Sequence, residues 1–241
     1  MTLPPRELLD DIAGDHDQTR GFTPRLIACR AHLLDELLPP GDVLDLGCAD
    51  GLLTAALARH HRAVTAVDAS AIRVERTRAA TAGLPVTVVQ SYFEELEPGR
   101  QFDAVVMACI LEHLDDPVAL LRRCATWLRP GGVVASIVPH GRSLHRRAGV
   151  HMGLLPDLDA LGEADDALDH KRTYTLDLLR AEYQAAGLRV TATGGILLKP
   201  LPNSKMAQQD PALIDAWEAL GRALPDLAAE IYALGTPQGI E

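Results

Sequence analysis

The side chains best placed for chemistry gather in one stretch, Val43-Leu44-Asp45-Leu46-Gly47-Cys48-Ala49-Asp50-Gly51-Leu52-Leu53-Thr54. An apolar run that ends in glycine reads as a short buried strand turning sharply into a helix. Glycines let a ligand approach the backbone, and the start of a helix offers free N–H groups. Asp68 follows Gly51 by 17 residues, at the end of a second apolar run. A carboxylate at that place can accept both hydroxyls of a ribose. The turn is not the G-x-G-x-x-G of a dinucleotide site, and Asp50 within it would repel a pyrophosphate. A cationic sulfonium cofactor with a free amino group suits an acidic turn better. Asp45 is placed to meet the ammonium, directly or through water.

The elements that must position these residues alternate. Strands are expected at Val43–Gly47, Ala63–Val67, Val86–Val89, Phe102–Ala108 and Val133–Val138. Helices are expected at 51–60, after an N-capping Ser70, and after Asp116-Pro117, where Asp caps and Pro fits the first helical position. Thr175 caps a further helix with Leu176, Leu179, Tyr183 and Ala186 on one face. Two late strands are expected at Leu188–Thr193 and Ile196–Lys199, and tail helices near 211–222 and 225–234. The alternation implies a doubly wound, mostly parallel seven-stranded α/β sheet covered on both faces. One domain over 1–241 is expected. It divides into an N-terminal helical lid (1–40), a cofactor-binding core (41–138), an insertion after strand five (139–174), the end of the sheet (175–202) and a helical tail (203–241).

Residues 43–54 resemble motif I of the class I S-adenosylmethionine-dependent methyltransferases. Four further matches follow in order. Asp68 resembles the family's ribose-binding acid. Ser91-Tyr92-Phe93 resembles its adenine-contacting loop. Phe102–Val106 followed by Leu111-Glu112-His113-Leu114 resembles its fourth strand and "LEH" turn. Leu128-Arg129-Pro130-Gly131-Gly132 resembles the entry to its fifth strand. The resemblance covers residues 43–138. It departs from the family at Ala49, where a glycine is usual, and at Ser91, where an acid is common. It implies S-adenosyl-L-methionine held by Asp45, Gly47, Cys48, Ala49 and Gly51, by Asp68 and Ala69, by Ser91, Tyr92 and Phe93, and by Cys109 after strand four.

In this fold the acceptor site is built from the N-terminal segment, the turn after strand four and the insertion after strand five. Here the insertion holds His140, Arg142, His145, Arg146, Arg147 and His151, with His170 and Tyr174 further on. His140, Arg142, Arg146, His170 and Tyr174 are the candidate acceptor contacts. His145 and His113 are the candidate catalytic groups, and the alternative for His113 is a structural turn histidine. Arginine and histidine so clustered point to an anionic acceptor such as a carboxylate or phosphate. The alternative is a solvated face balanced by Asp157, Asp159, Glu163, Asp165 and Asp166. The insertion's histidines lack the spacing of metal ligands, so no metal is expected.

Bulk properties narrow the acceptor. The formal charge of −10 argues against a phosphate backbone as partner, so no nucleic acid is expected. No apolar run approaches the roughly 20 residues of a membrane span, and the first residues lack the pattern of a secretory signal. The four cysteines form no C-x-x-C pair, which fits free thiols in a reducing cytoplasm. The expected function is methyl transfer to a small-molecule acceptor, of the kind met in bacterial secondary or surface-glycan metabolism. The alternatives are an RNA or protein methyltransferase and a non-catalytic cofactor-binding protein. The oligomeric state is left open.

Overall fold

Side chains that the sequence singles out as caps start three of the helices. Ser70 accepts the Arg73 N–H at 3.2 Å, Asp116 the Ala119 N–H at 2.9 Å and Thr175 the Leu178 N–H at 3.1 Å. The computed structural model describes residues 4–61 and 63–239. Helices α1 (Arg6–Asp15) and α2 (Thr23–Leu37) precede β1 (Asp42–Leu46) and α3 (Leu52–His60). Next come β2 (Ala63–Asp68), α4 (Ala71–Ala80), β3 (Val86–Gln90) and β4 (Phe102–Ala108). A 3-10 turn at Leu111–His113 leads to α5 (Pro117–Thr126) and β5 (Leu128–Pro139). The insertion carries α6 (Leu144–His151) and α7 (Glu163–Ala167). The chain closes with α8 (Leu176–Ala185), β6 (Leu188–Gly195), α9 (Asn203–Met206), α10 (Pro211–Ala223) and β7 (Glu230–Pro237).

The seven strands form one sheet in the order β3-β2-β1-β4-β5-β7-β6. Strand β1 pairs in parallel with β2 on one side and β4 on the other, so the strand order reverses there. A crevice opens at such a reversal, beyond the carboxyl ends of the strands. All five residues of β1 are buried because helices cover both faces. Leu44 and Leu46 pack in one core with Leu121, Leu179 and Tyr183. Val43 packs in the other with Leu33, Leu57 and Ile214. Each buried aliphatic side chain contributes about 1.5–3 kcal/mol, so these two cores hold the crevice rigid.

Three sequence expectations are corrected. Residues 225–234 do not form a helix: Pro225–Leu227 is a 3-10 turn, and Glu230–Pro237 is the last strand of the sheet. β7 lies between β5 and β6, antiparallel to both. Tyr183 holds it there, donating from its hydroxyl to Ala233 O at 3.0 Å and lying 2.7 Å from Ser136 Oγ on β5. Conversely, Ile196–Lys199 is not a strand. It is an irregular segment in which Ile196 N donates to Glu230 O and Leu198 N to Trp217 O. Finally, α2 is no lid. Leu26, Ile27, Leu33 and Leu34 bury it in the core, and within 1–40 it is the part up to α1 that borders the crevice. Among the described residues, no helix is long and apolar enough to cross a membrane.

Candidate functional site

The crevice is a groove of about 220 Å³ at the carboxyl ends of β1, β2 and β4. Gly47, Asp68, Ala69, Tyr92, Phe93 and His113, all singled out in the sequence, line it together. Gly47 has φ +77°, and a Cβ there would run into the Ile110 side chain on the groove wall, so glycine keeps the turn open. Gly51 has φ +79°, and a Cβ would meet the Thr77 backbone at 2.8 Å, which lets α3 pack close to α4. Between them Ala49 sits at φ +49°, a left-handed conformation that costs an L residue roughly 1–2 kcal/mol. Its N–H donates to Asp68 Oδ2 at 3.1 Å and its carbonyl accepts from Thr77 at 2.8 Å.

Asp68 ends β2 with its carboxylate against the groove. Oδ1 takes the Ser70 N–H at 3.0 Å and Oδ2 the Ala49 N–H. Each carboxylate oxygen has two lone pairs, so the carboxylate keeps accepting capacity for a ligand. Burial raises its pKa. Tyr92 donates from its hydroxyl to Pro4 O at 2.7 Å, and the Arg6 guanidinium stands 5.2 Å over its ring. These contacts draw α1 across the groove. Leu9 and Ile12 of α1 face Ile110, Leu114 and Leu168 to form apolar walls.

Several expected contacts lie off the groove. Asp45 is buried behind the turn, accepts from Thr54 Oγ1 at 2.6 Å, and is pushed up to about 6 by burial. Cys48 is buried against Thr77. Ser91 turns its hydroxyl to Tyr92 O, and Cys109 is half-buried in a left-handed conformation. Asp50 does not leave the turn acidic, which corrects the reading of its charge. It is 2% exposed, accepts the Gln18 N–H at 2.8 Å, and pairs with Arg73 and, at 3.2 Å, with Arg76. Its charge ties α4 to the segment after α1.

The basic cluster of the insertion is also spoken for. Arg142 pairs with Asp159 at 2.6 Å, and Arg146 with Asp165 at 2.9 Å and with Ala160 O. Both acids belong to the set that can balance the cluster's charge, and neither arginine lines the groove. His140 is 3% exposed, its Nδ1 3.1 Å from Ala228 O, and it bridges in backbone register to Tyr174. Tyr174 is fully buried and donates to Glu182 Oε2 at 2.9 Å. Both brace the insertion. His145 stands off the groove, with Lys199 and Arg146 as neighbouring cations. Burial above all, then those charges, pushes it down to about 3.

The groove ends at a cluster that the sequence does not bring together. Lys171 N donates to Glu112 O at 2.8 Å, and Arg172 donates to Leu114 O at 2.6 Å. These bonds set the 168–171 segment of the insertion against the 3-10 turn. His170 thereby meets His113 edge to face, ring centroids 4.8 Å apart. His113 is driven down to about 4, by burial first and His170 second. Glu112, 1% exposed, is pushed up to about 7 by burial, and neither of its oxygens has a hydrogen-bond partner. The tripeptide Leu111-Glu112-His113 drew attention to His113 alone. The acid beside it was the available signal for Glu112.

A family model described as a methyltransferase domain matches residues 19–193. The chain is 32% identical over 170 residues to a ubiquinone biosynthesis O-methyltransferase of Parvibaculum lavamentivorans, covering 69% of this chain and 66% of that one. It is 40% identical over 102 residues to the protein of that name from Xanthomonas campestris, covering 40% of this chain and 42% of that one. The chain thus spans from two-fifths to just under two-thirds of these relatives' length. A solved DhpI–SAH complex shares the fold at a TM-score of 0.61 and 20% identity, covering 98% of this chain and 96% of the other.

Proposed function

This chain belongs to the methyltransferase domain family, of the class I fold that uses S-adenosyl-L-methionine, and from that premise we propose that it methylates a hydroxyl of a small-molecule acceptor. The observation that carries the reading is the groove itself. It is lined by the glycine turn at Gly47, the Asp68 carboxylate, the Tyr92-Phe93 aromatics and His113 of the 3-10 turn. In this reading the Asp68 carboxylate takes the ribose hydroxyls, and Phe93 and Tyr92 flank the adenine. The N–H groups at the start of α3 face the cofactor across Gly47. The cofactor supplies an activated methyl group on sulfur.

Methyl transfer of this kind needs an in-line nucleophile and a dry site more than elaborate acid–base machinery. The walls from α1 and Leu168 exclude water. The arm built from 168–171 closes the end where an acceptor would enter, so acceptor contacts fall to His113 and its neighbours. Arg142, Arg146 and His145, which lie off the groove, are not assigned to it. The relatives' O-methyltransferase names favour oxygen as the methylated atom.

The test is a panel of hydroxylated small molecules, phenols and vicinal diols among them, with methyl-labelled cofactor. Label is expected on a hydroxyl oxygen of at least one. Label found only on RNA or protein from an extract would overturn the small-molecule reading. Cofactor binding without transfer to any acceptor would leave a binding protein.

A further inference from the structure

We infer that Glu112, His113 and His170 form a binding site for a divalent first-row transition-metal ion, such as zinc, cobalt or manganese, at the acceptor end of the groove. One ligand atom from each of the three residues lies within 4.8 Å of the others. Ligand atoms at tetrahedral angles on a zinc ion stand about 3.3 Å apart at the usual Zn–N length, so each atom would move inward by up to roughly 1 Å to close on an ion.

Each member is prepared for the role. His170 places Nδ1 3.0 Å from Asp165 Oδ1, which fixes the proton on that nitrogen and leaves the Nε2 lone pair free. A carboxylate behind a histidine in this way is the usual outer shell of a metal-binding imidazole. His113 places Nδ1 3.3 Å from Asp169 O, which frees its Nε2 in the same way. Glu112 supplies the independent sign of a missing ligand. Its carboxylate is 1% exposed, and both oxygens lack a hydrogen-bond partner. A buried carboxylate left bare costs several kcal/mol, and an ion removes that cost. Arg30, Glu230 and the Cys109 thiol also face it. Arg30, paired with Glu230, attracts Glu112 through space but makes no hydrogen bond to it.

Two nitrogens and one oxygen suit these ions and not calcium or magnesium, which take oxygen ligands. Three protein ligands leave coordination positions open, the arrangement of a reactive metal rather than a structural one. Of the three, His113 lines the groove and Glu112 and His170 stand behind it, so an acceptor would reach the ion past His113. A hydroxyl bound there would lose its proton to water more readily. Its oxygen would then form the bond to the methyl carbon as the carbon–sulfur bond breaks and its electron pair passes to sulfur.

This role rests on the methyltransfer reading, but the site does not, and binding can be measured without turnover. The chelator-stripped full-length protein is titrated with Zn²⁺, with bound metal counted by mass spectrometry, and with Co²⁺, whose visible absorption reports coordination. One equivalent of metal is expected. Glu112→Gln and His170→Asn should each weaken binding at least tenfold, while an exposed control, His151→Ala, should not. S-adenosylhomocysteine affinity, measured on each variant, shows whether the fold is intact. Stripped wild type that takes up no metal overturns the site, as does binding that survives in a folded His170→Asn. Failure of S-adenosylhomocysteine to bind a protein that does take up metal would overturn the cofactor reading alone.

Discussion

Asp165 Oδ1 lies 3.0 Å from His170 Nδ1, and through this contact the short acidic helix α7 holds a histidine against His113 of the groove wall. The other oxygen, Oδ2, takes Arg146 at 2.9 Å and the Gly162 N–H at 2.9 Å. The hydrogen bond from His170, ahead of those from Gly162 and Arg146, holds the Asp165 carboxyl well below the usual carboxylate range. The basic and acidic residues of the insertion therefore serve each other. Their product is the placement of His170, and recognition of an anion by Arg146 is not needed to explain them.

Arg146→Ala accordingly tests architecture. Its side chain is 12% exposed and that of Asp165 17%, between the regimes of exposed and buried ion pairs. A loss of about 1–2 kcal/mol in unfolding free energy is expected, read by thermal or urea denaturation. S-adenosylhomocysteine affinity should stay at the wild-type value. A large rise in acceptor KM with unchanged stability would instead restore the anion-recognition role.

Asp68→Ala should weaken S-adenosylmethionine binding by roughly 1–3 kcal/mol, or about 5- to 150-fold in Kd, because buried ribose hydroxyls lose a charged acceptor. It also strands the N–H groups of Ala49 and Ser70, so Asp68→Asn, which keeps an acceptor oxygen, should fall in between. Calorimetry on both variants decides the order. The same titration with NAD should show no binding.

Asp50 predicts a pH dependence. Burial pushes its carboxyl up, but the Gln18 N–H, Arg73 and Arg76 more than offset this, and the net pKa is lowered. A carboxylate with a lowered folded-state pKa contributes stability above its unfolded value of about 3.9, and that contribution is lost as pH falls through the folded value. Asp50→Asn should therefore be less stable than wild type at pH 7, by about 1–3 kcal/mol. The gap should narrow below about pH 4. Denaturant melts at several pH values measure it, and a gap that stays constant down to pH 2 would exclude the ionic contribution.

Ala49→Gly should raise stability slightly. Relief of the left-handed conformation returns roughly 1–2 kcal/mol, and the freer unfolded chain takes back about 0.4–1. A net gain of about 0.5–1 kcal/mol is expected in urea melts. A loss would mean that the methyl group packs more usefully than its backbone angle suggests.

The cofactor half of this protein was legible in the sequence because its determinants are local. The run 43–54, the acid at Asp68 and the caps Ser70, Asp116 and Thr175 act within a few residues of themselves, where spacing and side-chain type determine the outcome. The doubly wound sheet followed from the alternation of strand and helix patterns. The last strand did not. Ile231, Ala233 and Leu234 are buried in a sheet covered on both faces, and a continuous apolar run reads equally well as a buried helix. Pairing with β5 and β6, distant in the chain, settles it. Charge was likewise legible in amount but not in use. Asp50 and Arg146 advertise a cation site and an anion site, yet each is neutralised by a partner brought close only by folding. The cluster at the end of the groove is the clearest case. Glu112 and His113 lie 57 or more residues before His170, and it is the Lys171-to-Glu112 backbone bond that joins them, a contact with no trace in local spacing.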